Sequence, residues 1–90
     1  MSRHSVVADV KIHGVLLNSV SVAYGFDHAC GYFIQAVDPN DPDKLVYNED
    51  SMFTGLTGGG MLDAFEEMGI YDRIPQHHKR AAALDLPIVE

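Results

Sequence analysis

The spacing of apolar residues changes once along this chain, and that change restricts the fold more than any motif does. Val6, Ala8, Val10 and Ile12 alternate with Val7, Asp9, Lys11 and His13. A period of two sends the two sets to opposite faces of a strand. Within residues 15–24, Val20, Val22 and Tyr24 repeat the pattern opposite Ser19, Ser21 and Ala23. Within residues 31–38, Tyr32, Ile34 and Ala36 lie opposite Phe33, Gln35 and Val37. That third segment is apolar on both faces, which predicts a central strand. From Met61 onwards the period is helical: Met61, Leu62, Phe65 and Met68 share one face, and Asp63, Glu66 and Glu67 the other.

Turn and cap residues divide these segments. His13-Gly14 marks the first turn, and residues 25–28 (Gly-Phe-Asp-His) the second. Residues 39–43 (Pro-Asn-Asp-Pro-Asp) read as a loop, followed by a short fourth strand at Leu45, Val46 and Tyr47. Residues 48–56 have room for one helical turn. Thr57 is an N-cap before Gly58-Gly59-Gly60, and Gly69 stands where a C-terminal cap belongs. Pro75 opens a second helix running to about Leu84, Pro87 stops it, and Ile88 and Val89 form a tail able to dock as an edge strand. Connections this short favour an antiparallel meander.

The predicted class is therefore α+β: a small antiparallel sheet of three or four strands, with one or two C-terminal helices packed on one face. Its core is expected to join Val6, Val10, Val20, Val22, Ile34 and Ala36 to Met61, Leu62, Phe65, Met68 and Leu84. With 90 residues, 47% of them hydrophobic, the chain is expected to form a single domain over residues 1–90. So small a core makes a homodimer a natural partner state. No apolar run is long enough for a membrane span, and Asp9 and Lys11 interrupt any signal-type stretch at the start. A lone Cys30 excludes an internal disulfide and fits a reducing, cytoplasmic location.

Acidity is concentrated in one segment. Asp38, Asp41, Asp43, Glu49, Asp50, Asp63, Glu66, Glu67 and Asp72 face only Lys44, whereas the whole chain carries a net charge of −7. Such a field repels nucleic acid and anionic membranes and attracts basic partners. The basic residues gather later, as Arg73, His77, His78, Lys79 and Arg80. They suit a helix C-terminus or an internal partner for the acids better than a nucleic-acid reader.

No catalytic motif emerges. Met61 and Leu62 follow the triple glycine where a phosphate-binding loop needs Lys and Ser or Thr. Residues 38–49 have the length of a calcium loop, but Pro42 replaces an oxygen ligand and Asp43 the turn glycine. His28 and Cys30 would share a strand face and, with His77 or His78, could hold zinc, but no second paired ligand set exists. Cys30 reads instead as a small core residue, and Asp27-His28 as a capped turn. Spacing singles out no histidine as the base of a Cys/His dyad. Asp63 and Glu67 share a helix face as solvated charges, whereas the adjacent Glu66 and Glu67 do not face each other.

The function expected from these features is non-enzymatic, with no cofactor and no metal. The acidic side chains would dock on a basic protein or nucleoprotein complex, with no direct contact to nucleic acid or membrane. Asp41, Asp43, Glu49, Asp50, Glu66 and Glu67 would supply charge, and Tyr47, Met52 and Phe53 apolar anchors. In length and charge the chain resembles the small acidic inhibitors of phages and mobile elements, anti-CRISPR proteins among them. That resemblance implies an inhibitor or adaptor of a nucleic-acid-binding complex. Two other readings compete: a homodimeric scaffold paired through an edge strand, and a small metal- or ligand-binding domain around His28 and Cys30.

Overall fold

The computed structural model describes residues 2–88. Four strands, β1 (Ser2–Ile12), β2 (Val15–Asp27), β3 (Gly31–Asp38) and β4 (Asp41–Asp50), precede helix α1 (Gly58–Met68), a short 3-10 turn (Tyr71–Arg73) and helix α2 (Gln76–Ala83). The sheet is an antiparallel meander in the order β1-β2-β3-β4. It is an α+β fold with four strands and two helices.

Local signals account for much of this. His13 (φ 51°) and Gly14 (φ 81°) are both left-handed, as a two-residue hairpin turn that matches strand twist requires. The Thr57 hydroxyl accepts the Gly60 N–H at 2.9 Å and caps α1. Gly69 ends the helix at φ 81°, and its N–H reaches back to Glu66 and Phe65 carbonyls.

Register then assigns side chains to faces. His4, Tyr24, Ile34 and Glu49 form one row across the sheet, and Val6, Val22, Ala36 and Tyr47 the next. These rows lie under the helices. Arg3, Gly25, Phe33 and Asp50 form a row on the opposite, open face. The core joins Val10, Val20, Val22, Ile34 and Ala36 to Met61, Phe65 and Met68, with Val6 and Leu62 packed at its margin. Ile70, Ile74 and Ala82 also belong to it.

Several expectations are corrected. Gly25 lies within β2 rather than in a turn, and the chain reverses at residues 28–30. A Cβ on Gly25 would stand 2.1 Å from the Ser2 carbonyl oxygen, so this glycine allows β1 to approach. The expected loop at residues 39–43 shrinks to Pro39 and Asn40, and β4 spans ten residues. Pro42 is tolerated because β4 is an edge strand and its pairing is irregular near Val37 and Asp38. The calcium-length segment is thus a tight turn followed by a strand. The single helical turn expected within residues 48–56 is present, closed by the Thr54 N–H on the Asp50 carbonyl and not continued. Pro75 is the N-cap of α2 instead of its first residue.

Leu84, expected in the core, is 61% exposed because helical spacing puts it on the far side of α2 from His78 and Ala82, the residues that face inward. Ile88 is buried but belongs to no strand, and Val89 lies outside the described residues.

Tyr24 and Tyr32 carry hydroxyls into this core. The Tyr24 hydroxyl and His78 Nδ1 share a buried 2.7 Å hydrogen bond, and burial pushes the phenol up to about 12 from an ordinary 10.0. Tyr32 and Tyr47 are also raised, first by burial, then by Asp85 in one case and by the Glu49 hydrogen bond in the other. For groups raised on folding, the stabilisation is complete below the unfolded value and declines as pH climbs through the folded one. Urea midpoints are therefore expected to hold up to pH 10 and fall towards about pH 12. Tyr24→Phe should cost about 1 kcal/mol at neutral pH through the lost hydrogen bond. It should also flatten the alkaline decline; an unchanged slope would show that Tyr24 does not titrate in this way.

Candidate protein-interaction surface

The acidic segment does not form one face. Three of its six aspartates close local rings: Asp38 Oδ1 accepts the Asn40 N–H at 2.8 Å, Asp41 Oδ1 the Asp43 N–H at 3.1 Å, and Asp50 Oδ1 the Phe53 N–H at 2.5 Å. Outside the segment, Asp27 does the same for Ala29, whereas Asp9 and Asp85 accept the Ser19 and Gly58 N–H groups from distant parts of the chain. Short carboxylates close such rings because their oxygens reach the backbone two or three residues on. Asp41 and Asp50, singled out above for docking, therefore have local structural work as well as charge.

The eight residues singled out for docking divide into four places. Tyr47, Glu49 and Glu67 meet in a cleft between β4, the β1–β2 hairpin end and the second half of α1. Asp41 and Asp43 are exposed at the other end of β4, and Glu66 is exposed on α1 outside the cleft. Asp50 belongs to the open face and to the turn that follows β4, and Phe53 sits on that turn.

Phe53 is 78% exposed and its neighbour Met52 63%. The turn carrying them is closed four ways around Asp50. The Phe53 N–H donates to the Asp50 carboxylate, the Thr54 N–H and hydroxyl donate to the Asp50 carbonyl, and the Asp50 N–H donates to Thr54 Oγ1. Ser51 ties the turn to the fold by accepting the Tyr32 N–H at 2.9 Å and donating to the Leu56 carbonyl. The Tyr32 hydroxyl in turn donates to the Leu86 carbonyl at 2.6 Å, and Asp85 accepts from Gly58. These bonds gather the turn and the exposed Leu84 and Leu86 at one end of the fold. Asp50 and Asp85 supply carboxylates to these bonds. Leu84 and Leu86 gave no sequence signal, since an apolar residue at a helix end reads as core.

The alternative site around His28 and Cys30 takes a different shape. His28 is exposed in the β2–β3 turn, its ring 5.7 Å from that of Phe26. Cys30, expected in the core, is half-buried and lines a hollow of about 190 Å³ with Arg3, Asp27 and Asp50. His77 and His78 belong elsewhere: His78 stacks against His4 with ring centroids 4.1 Å apart, and His77 against His78 at 4.2 Å. Among the described residues, no group of three or more His, Cys, Asp or Glu is arranged to hold a metal ion. The basic residues near α2 bond to backbone: Arg73 to the Val7 carbonyl, and Lys79 to that of Tyr71, over whose ring it sits at 4.3 Å.

No helix among the described residues is long and apolar enough to cross a membrane. No protein family matches this chain, and neither a curated protein nor a solved structure matches it significantly.

Proposed function

We propose that this protein is a non-enzymatic acidic interaction protein that docks on the basic surface of a nucleic-acid-handling protein, as an inhibitor or adaptor. The observation that carries this reading is Phe53, an aromatic ring held in solvent on a turn closed by hydrogen bonds. Exposing such a ring is unfavourable alone, and a fixed turn limits the entropy lost on binding. Met52, Leu84 and Leu86 extend the apolar centre, and Asp50 and Asp85 add carboxylates to it. An apolar pocket edged by Lys and Arg complements that pattern.

The test is a pull-down from nuclease-treated lysate, washed across a salt series. A basic nucleic-acid-handling protein should be retained at low salt and released at high salt. Phe53→Ala should weaken that capture by about 30-fold or more, the effect of losing a central aromatic anchor. Retention indifferent to both salt and Phe53→Ala would sink the proposal.

Self-pairing through an edge strand is the second reading, and β1 is the edge that suits it. Joining two copies through β4 would set Asp41, Asp43 and Glu49 near their own counterparts, and Pro42 donates no hydrogen bond. β1 keeps an unbroken register from Ser2 to Ala8. Dimers formed this way would persist at high salt, which separates them from charge-driven docking.

A further inference from the structure

We infer that the cleft between the hairpin end and α1 is a binding site for a guanidinium group. The cleft is about 560 Å³, within the range of small-ligand sites. Its apolar floor is Ile12, Ala64 and Met68, all buried. Glu49 and Glu67 line it from two different elements, β4 and α1, and Tyr47 stands beside them with its hydroxyl donating to Glu49 Oε2. Both carboxylates also act on the Tyr47 phenol, which burial and these two acids raise well above its ordinary value. Two acids from different elements therefore line one cleft, one of them bonded to the Tyr47 hydroxyl.

Lys11 is the one Lys or Arg among the described lining residues, so the cleft keeps a single negative charge with His13 neutral. That balance admits a monocation and disfavours an anion. The shape narrows the choice. The Tyr47 and His13 rings lie 6.2 Å apart and are tilted by 33°, offering aromatic faces beside the carboxylates. A planar guanidinium stacks on such faces while its N–H groups fork onto a carboxylate; a compact ammonium does only the second. The inference stands on the cleft alone and does not depend on docking through Phe53, which lies at the opposite end of α1.

The experiment is a titration of the full-length protein, followed by amide NMR shifts at matched ionic strength. Ethylguanidinium should give saturable shifts at Gly14, Ala64 and Met68, with a midpoint on the order of millimolar for so small a probe. Neutral N-ethylurea, similar in shape, should give none. Glu67→Gln, at an exposed helix position that preserves folding, should weaken binding about tenfold, and Glu49→Gln with Glu67→Gln should abolish it. Two further probes identify the source. A capped Gly-Arg-Gly peptide that binds as well as ethylguanidinium assigns the group to a protein side chain; binding by free arginine alone assigns it to a small molecule. Equal shifts with N-ethylurea, or binding unchanged in Glu67→Gln, would overturn the inference.

Discussion

Gly58→Ala is expected to destabilise the fold by about 3 kcal/mol, while Gly59→Ala, one residue on, stabilises it by up to about 1 kcal/mol. The two glycines look alike in sequence and have opposite surroundings. A Cβ on Gly58 would lie 2.0 Å from the Ala82 carbonyl oxygen and 2.9 Å from its carbon. Backbone cannot swing aside as a flexible side chain does, so α1 and α2 would have to separate. A Cβ on Gly59 meets nothing within 4 Å, and alanine there only reduces the freedom of the unfolded chain. Urea midpoints of the two variants should move in opposite directions. Equal midpoints would mean that the helices do not cross as closely as described. Gly58 also presents its N–H to Asp85, so the same substitution should disturb Leu84 and Leu86 and weaken partner capture.

Phe65→Ala should cost about 3–5 kcal/mol, as deletion of a buried aromatic ring usually does. A chain of this length has only roughly 5–13 kcal/mol in total. Phe65 is 1% exposed and meets the Tyr24 ring edge-on at 5.1 Å, and Tyr24 is in turn bonded to His78. Loss of the ring therefore loosens the sheet's contact with α1 and, through Tyr24, with α2. Phe53→Ala supplies the contrast: its ring is already in water, so stability should change by less than about 0.5 kcal/mol. Thermal or urea unfolding of the pair checks both statements. A Phe53 variant as unstable as the Phe65 variant would mean that Phe53 is part of the fold and not an anchor.

The same contrast shows what was legible before the structure. Phe65 and Phe53 are the same residue type, and only Phe65 belongs to a helical apolar period. Its role was readable from Met61, Leu62 and Met68. The extent of β3, the Thr57 cap and the Gly69 terminus were readable for a similar reason, because each depends on a few neighbouring residues. Gly25 was misread because glycine permits both turns and close backbone contacts, and Ser2, the residue that approaches it, is distant in sequence. Leu84 was misread because an apolar residue at a helix end reads as core, whereas the inward face of α2 is set by His78 and Ala82. For the acids, sequence revealed the number and not the task. Asp38, Asp41 and Asp50 spend a carboxylate oxygen on a turn, which depends on local backbone geometry.

By itself, then, the sequence determined the α+β class, the two face patterns, the caps of α1 and a strong negative charge. All of these follow from spacing, residue type and summed charge, none of which needs coordinates. Only the tertiary structure decided that Tyr47, Glu49 and Glu67 share a cleft, that Asp50 lies on the opposite face, and that Phe53, Leu84 and Leu86 stand in solvent. Strand register and helix crossing bring those groups together. A shift of one residue in the pairing of β4 would send Glu49 to the open face and Asp50 beneath the helices.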